Sequence, residues 1–112
     1  MHIRLSTAES FSKVSPFGRI DAATCAELQE VVYGLIDGGT ARIVLDLQET
    51  VYISSAGLRV ILNAAKRLYG TGQIVISNVA PEVRRILEVA GIPDVIDVYP
   101  DTNSAGAAFE RG

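Results

Sequence analysis

Residues 22–100 alternate between short apolar runs and amphipathic segments. The apolar runs predict buried strands at residues 43–47, 73–77 and 95–99. Between them, apolar residues spaced three and four positions apart predict helices that begin near Ala22, Ser55 and Pro81. Buried strands separated by helices of about 15 residues favour parallel pairing with right-handed crossovers.

Each predicted helix has one apolar face that we expect to pack against the sheet. In the first helix, which ends at Gly38 and Gly39, this face is Leu28, Val31, Val32, Leu35 and Ile36. In the second it is Leu58, Ile61, Leu62, Ala65, Leu68 and Tyr69, and in the third it is Val83, Ile86, Leu87 and Ala90. The exposed side of the second helix includes Arg59, Asn63, Lys66 and Arg67. These four residues form either a solvated basic face or a docking face for an acidic partner.

The first twenty residues predict two further strands, at residues 3–5 and 11–17, joined by a turn at 7–10. Pro16 has no backbone N–H to donate, so we expect the second strand to lie at a sheet edge or to end there. Residues 104–110 indicate a weak terminal helix. The predicted fold is therefore α/β, with a mixed, mostly parallel sheet of four or five strands flanked by helices.

Composition narrows the classes of protein that fit. The chain has 112 residues, so residues 1–112 are expected to form a single domain, and the 48% hydrophobic content excludes a disordered chain. No apolar run approaches 18 residues, and the N-terminus lacks the apolar stretch of a signal peptide, so a cytoplasmic protein without membrane insertion is expected. A net charge of −3 argues against a nucleic-acid partner. Cys25, the only cysteine, is interpreted as a small core residue.

The sequence offers little for catalysis or for a cofactor. One histidine, His2, and one cysteine cannot build a zinc site or a Ser-His-Asp triad. Asp46 ends an apolar strand, as the phospho-acceptor of a response-regulator receiver does. However, Glu9 is the only acid available for the required metal site, and the expected late lysine is missing. We therefore interpret Asp46 as a residue that caps a loop, and we expect neither an enzyme nor a bound metal or cofactor.

Two hydroxyl residues, Ser54 and Ser55, directly precede the second helix. Backbone N–H groups and the positive end of the helix dipole face this position, so a phosphate on either serine would be held there rather than disrupt the fold. The simpler interpretation is an N-cap and its neighbour, worth about 1 kcal/mol. From the residues alone the cap interpretation is preferred, because every helix needs a start and serine is a favoured cap residue.

A resemblance to a known family bears on that choice. The chain resembles STAS domains, the family of bacterial anti-sigma factor antagonists with relatives in sulfate transporters, over residues 11–100 or so. The resemblance is carried by Val44-Leu45-Asp46-Leu47, Tyr52-Ile53-Ser54-Ser55-Ala56-Gly57-Leu58-Arg59, Gly18-Arg19-Ile20-Asp21-Ala22-Ala23-Thr24, Asn78-Val79-Ala80-Pro81-Glu82-Val83-Arg84-Arg85-Ile86-Leu87 and Gly91-Ile92.

The resemblance implies a function. Antagonists of this family bind an anti-sigma factor that is also a serine kinase, and binding releases the sigma factor. The kinase then phosphorylates the antagonist, which dissociates, and a phosphatase resets it. The phosphorylated position, two residues before the Gly-Leu pair, is Ser55 here. Ser54, where many members carry aspartate, is the rival acceptor, and Ala56 replaces a frequent hydroxyl residue. Asp21 matches a loop aspartate near the phosphorylation site, although it also fits the N-cap of the first helix.

The expected partner-binding surface comprises Asp21, Ser54, Ser55, Ala56, Gly57, Arg59 and Asn63. The expected oligomeric state is a monomer or weak dimer. An alternative function is a STAS scaffold subunit of a stress-signalling or transporter-associated complex, in which phosphorylation plays no part.

Overall fold

A computed structural model of the protein describes the backbone of residues 2–111 and the side chains of residues 2–109. The longest helix has 14 residues, and none in this described part of the chain has the length and apolarity to cross a bilayer. A 3₁₀ turn covers Ile92–Asp94. The elements are β1 (His2–Thr7), β2 (Ser12–Ile20), α1 (Cys25–Asp37), β3 (Arg42–Asp46), β4 (Thr50–Ile53), α2 (Ser55–Leu68), β5 (Gln73–Ser77), α3 (Pro81–Val89), β6 (Val98–Tyr99) and α4 (Thr102–Arg111).

The strands form one mixed, mostly parallel sheet, which confirms the predicted α/β fold. Its order is β1-β2-β3-β5-β6, with β4 paired to the far end of β2. Only the β1–β2 pair is antiparallel. The sheet has six strands in the described residues rather than four or five, because the sequence prediction missed β4. That strand has only four residues, of which only Thr50 and Ile53 are buried, so it lacks the longer buried run that marks β3 and β5.

Pro16 does not end β2, so that part of the prediction was wrong. The strand continues to Ile20 and changes partner on the way. It pairs with β3 as far as Val14 and with β4 from Gly18 onward. Pro16 lies between these two pairings, so its missing N–H interrupts neither of them. On its other side it pairs with Ile3 of β1, so β2 is not an edge strand either.

The two faces of the central strands are both buried, as predicted for β3 and β5. On one face Ile43, Leu45, Ile74 and Ile76 pack against α1, α2 and α3. On the other face Val44 and Val75 pack against Ala105 and Phe109 of α4. Successive residues of a strand point to opposite faces, so one apolar run serves both layers.

Helix α2 is rotated relative to the prediction from its apolar spacing. Its buried residues are Gly57, Val60, Ile61, Ala64 and Leu68. Leu58, Leu62 and Ala65, which were predicted to face the sheet, are only half-buried, and Tyr69 is 90% exposed. In α3, Val83 and Leu87 are buried as predicted, whereas Ile86 is half-buried and Ala90 is exposed.

Candidate functional site

The two serines occupy different positions at the start of α2. Ser54 is the N-cap: its hydroxyl accepts a hydrogen bond from the Gly57 backbone N–H at 3.3 Å, and its carbonyl accepts from Leu58 at 2.9 Å. Its own N–H donates to the Ile20 carbonyl at 2.7 Å, which ties the helix start to the end of β2. Ser55 is the first helical residue and is exposed. Its hydroxyl is therefore the accessible one of the pair.

Gly57 lets α2 begin close to the sheet. A Cβ at this position would lie 2.7 Å from Ile20 Cγ2 and 3.0 Å from Ile53 Cγ2, both of which belong to buried side chains. Gly57 is itself buried. Its place in the site is thus to position Ser54 and Ser55 against the ends of β2 and β4.

The loop between β2 and α1 is organised by Asp21. The Asp21 carboxylate accepts hydrogen bonds from the backbone N–H groups of Ala23 at 3.0 Å and Thr24 at 3.1 Å, and from the Thr24 hydroxyl at 3.2 Å. Partial desolvation raises the pKa of Asp21, but these hydrogen bonds and the nearby Arg19 guanidinium outweigh it and hold the pKa below its ordinary value.

These contacts agree with the capping interpretation of Asp21, because its carboxylate accepts from the N–H groups of the next turn and its carbonyl accepts from the Cys25 N–H at 2.8 Å. Thr24, the residue just before α1, makes no side-chain capping bond, and its hydroxyl donates to the Arg19 carbonyl at 2.8 Å. Helix α1 begins at Cys25 instead of Ala22, because the turn formed by Asp21 precedes it. Asp21 directly follows Ile20, whose carbonyl accepts the hydrogen bond from the Ser54 N–H.

Arg19 and Tyr52 also lie at this end of the sheet, and the sequence prediction did not include them. The Arg19 guanidinium lies 4.3 Å from the centre of the Tyr52 ring, and its Nε is 3.9 Å from an Asp21 carboxylate oxygen. Both residues fall within the segments that carry the family resemblance. The sequence could have placed them together only through the pairing of β2 with β4, which sets Arg19 opposite Tyr52. Because β4 was not predicted, this pairing was missed.

An open groove runs along α2 from Ser55, with a volume of about 930 Å³. A smaller cleft of about 340 Å³ adjoins it, and Ser55, Leu58 and Ala90 line both. We call the larger surface the α2 groove. It is lined by Ser55, Leu58, Arg59, Leu62, Asn63, Ala65, Lys66, Tyr69, Ala90 and Val95.

The groove brings together three of the predicted partner-binding residues, Ser55, Arg59 and Asn63. Of the others, Ser54 is committed to the cap and Ala56 is half-buried beside it. The role of these residues in partner binding stays a prediction.

Asp46 caps a loop, as predicted. Its carboxylate accepts from the Gln48 backbone N–H at 3.0 Å and lies 3.9 Å from the Lys13 ammonium. Cys25 is half-buried and packs against the core. Within the described residues, no three His, Cys, Asp or Glu side chains are grouped to hold a metal ion.

Comparison with known proteins agrees with this architecture. BtrV of Bordetella bronchiseptica, a protein named as an anti-sigma factor antagonist, is 37% identical over 94 residues, which cover 83% of this chain and 81% of BtrV. An anti-sigma factor antagonist from Mycobacterium paratuberculosis has the same fold, with a TM-score of 0.91, 21% identity and coverage of 97% of this chain and 93% of that one.

A more distant structure shares the fold as well. It is the Bacillus cell fate determinant SpoIIAA in its phosphorylated form, with a TM-score of 0.72, 14% identity and coverage of 96% of this chain and 99% of that one. The sequence model of the STAS domain family matches residues 2–105, nearly the whole chain. The protein therefore belongs to the STAS domain family.

Proposed function

We propose that the protein is an anti-sigma factor antagonist that is switched by phosphorylation of Ser55. In its unmodified form it binds an anti-sigma factor that is also a serine kinase, and the sigma factor is released. Phosphorylation of Ser55 ends the complex, and a phosphatase restores the binding form. The observation that carries the proposal is the exposed Ser55 hydroxyl at the first position of α2, beside the α2 groove, in a chain similar to proteins named as anti-sigma factor antagonists.

The geometry favours Ser55 over Ser54 as the acceptor. The Ser54 hydroxyl is half-buried and already accepts the hydrogen bond from the Gly57 N–H, so a kinase can reach it less easily than the exposed Ser55 hydroxyl. A phosphate on Ser55 would lie at the positive end of the helix without displacing any hydrogen bond of the cap. The phosphorylated form of SpoIIAA, which shares this fold, supports a switch in which the modified protein stays folded.

The switch acts through charge at a contact. A phosphate adds about −1.5 to −2 charge. A partner surface that fits a neutral hydroxyl would then enclose an unpaired dianion, and a loss of about 2 to 5 kcal/mol lowers affinity by at least tenfold. Arg59 and Asn63 line the groove that begins at Ser55 and are exposed, so we assign them to the same contact. Asp21 holds the neighbouring loop in shape.

In the proposed function the protein acts by binding rather than by catalysis. It needs no cofactor, contacts neither nucleic acid nor the membrane interior, acts in the cytoplasm and is a monomer or weak dimer. Membership in the STAS domain family and the similarity to named anti-sigma factor antagonists support this assignment.

The test uses the serine-kinase anti-sigma factor encoded nearest to this protein's own coding region. We expect that kinase and ATP to place one phosphate on Ser55, as located by phosphopeptide mass spectrometry. The Ser55→Ala protein should bind the kinase but resist release by ATP, and Ser55→Asp should bind weakly. Ser54→Ala is the matched control: it should still be phosphorylated and released, with a loss of about 0.5 to 2 kcal/mol in stability from the missing cap.

Two outcomes would change the assignment. Full phosphorylation and ATP-driven release of the Ser55→Ala protein would move the site to Ser54. If neither serine is modified and the anti-sigma factor does not bind, the proposal fails and the scaffold function takes its place.

A further inference from the structure

We infer that the α2 groove receives an acidic amphipathic helix of the anti-sigma factor, and that this helix is the main anchor of the complex. The inference rests on the proposed function and names the chemistry of the partner surface. Its first support is the position of the large apolar side chains that remain exposed. Of those in the described residues, the three most exposed are Tyr69 at 90%, Val89 at 84% and Val95 at 66%. All three line the α2 groove or the cleft that adjoins it.

The apolar floor of the groove is continuous. Leu58, Leu62 and Ala65 are half-buried and lie at three- and four-residue intervals along one side of α2, which leads to Tyr69. The distance along the helix from Ser55 to Tyr69 is about 21 Å at 1.5 Å per residue. Roughly four turns of a partner helix would fit along it. The groove is formed by helices and a 3₁₀ turn rather than by a strand edge, so helix-in-groove binding suits it and strand addition does not.

The charge of the groove selects an acidic occupant. Its lining contains two cations, Arg59 and Lys66, and no acid. Neither cation has an ion-pair partner among the described residues, whereas the adjacent Arg67 is paired with Asp37 and packs over Tyr33. Cations held beside an apolar floor complement a helix whose apolar stripe is flanked by Asp or Glu.

A second copy of this chain fits the groove less well. A symmetric contact would place the same patch on both sides, so the cations Arg59 and Lys66 of one copy would meet a cationic patch with no acid on the other. An acidic helix also accounts for release. Phosphate on Ser55 adds negative charge at one end of the groove, where it would repel any acidic residue of such a helix that lies within the screening length of about 8 Å.

The occupant is identified by cross-linking. The photo-reactive residue p-benzoylphenylalanine is placed at position 69 of the full chain, and at position 5 as a control. Leu5 is also an exposed apolar residue, at 49%, but lies on edge strand β1. After irradiation with the purified anti-sigma factor, mass spectrometry locates the partner segment. We expect position 69 to capture an acidic amphipathic helix and position 5 to capture nothing. Capture of a basic segment, of an extended loop, or of a second copy of this chain would overturn the inference.

Binding measurements provide the energetic test. Tyr69→Asp should raise Kd at least tenfold, as expected when a buried aromatic anchor is lost, while Leu5→Asp should change it less than about twofold. Lys66→Glu should weaken binding and flatten its salt dependence. Arg84→Glu, which changes an exposed cation of α3 outside the groove, should do neither.

The outcomes separate this inference from the proposed function. If the anti-sigma factor binds wild type and phosphorylates Ser55, but Tyr69→Asp and Lys66→Glu bind as wild type does, the groove is not the anchor and the proposed function stands. If wild type does not bind the anti-sigma factor, both are refuted.

Discussion

Replacement of Gly57 by alanine tests whether close packing of α2 on the sheet positions Ser55, the proposed phosphorylation site. The added methyl group would lie 2.7 Å from Ile20 Cγ2 and 3.0 Å from Ile53 Cγ2, where ordinary contacts begin at 3.4 Å. The helix must therefore move by roughly 0.7 Å or the core must yield. Both isoleucines are branched and almost completely buried, at 0% and 1% exposure, so they have little room to give way.

The magnitude follows from two opposing effects. Overpacking of this kind costs about 1 to 3 kcal/mol. Alanine is favoured over glycine inside a helix by about 1 kcal/mol, which offsets part of that cost. We expect Gly57→Ala to lower the free energy of unfolding by up to about 2 kcal/mol. Because the start of α2 is displaced, we also expect slower phosphorylation of Ser55 by the kinase at temperatures where the variant is fully folded.

Gly34→Ala is the matched control. Gly34 lies in α1, and a Cβ there would have no atom within 4 Å. This variant should gain about 1 kcal/mol from helix propensity alone, with no change in phosphorylation. Urea unfolding followed by circular dichroism measures both variants. The difference between them isolates the steric cost at Gly57, and equal stabilisation of both would refute the packing argument.

Two further predictions concern hydrogen bonds that hold the site. The buried Thr50 hydroxyl donates to the Pro16 carbonyl at 3.0 Å, so Thr50→Val should lower the unfolding free energy by about 1 to 3 kcal/mol. Thr71 is exposed and its hydroxyl donates to the Leu68 carbonyl, so Thr71→Val should lower the unfolding free energy by less. The pKa of Asp21 is lowered in the folded state, so its stabilisation is fully present well above the unfolded value of about 3.9 and is lost as the pH falls through the lower folded value. Asp21→Asn should therefore be less stable than wild type at pH 7, and the difference should shrink in acid; equal urea midpoints at pH 7 would contradict this.

The parts of the fold that follow from local pattern were predictable. The apolar runs at β3 and β5 are long enough to identify a strand buried on both faces, and the structure confirms them. The start of α2 follows from a cap residue ahead of an amphipathic segment, and Ser54 is that cap. Proline at the first position of α3 and glycine after α1 likewise mark the ends of helices, and their effect depends only on neighbouring residues.

The parts that depend on distant contacts were not predictable. Strand β4 exists because the end of β2 offers it a partner, and the same pairing carries β2 past Pro16. The groove could not be located from the sequence either, because it depends on how α2 is rotated and on where the end of α3 lies. Of the residues that line the groove, Ser55 and Arg59 were predicted to lie on a partner-binding surface, whereas Tyr69 was assigned to the core.

The error in the predicted face of α2 is itself informative. Hydrophobic periodicity reports all the apolar surface of a helix, and it does not separate what the core uses from what remains. In α2 the small residues Gly57 and Ala64 bring the helix close to the sheet, and the core also receives Val60, Ile61 and Leu68. Leu58 and Leu62 stay half-buried at the margin of the core. Leu58 and Leu62 line the α2 groove beside Ser55, Arg59 and Lys66, so they are apolar surface that the proposed partner helix would bury and that the proposed phosphorylation of Ser55 would expose again.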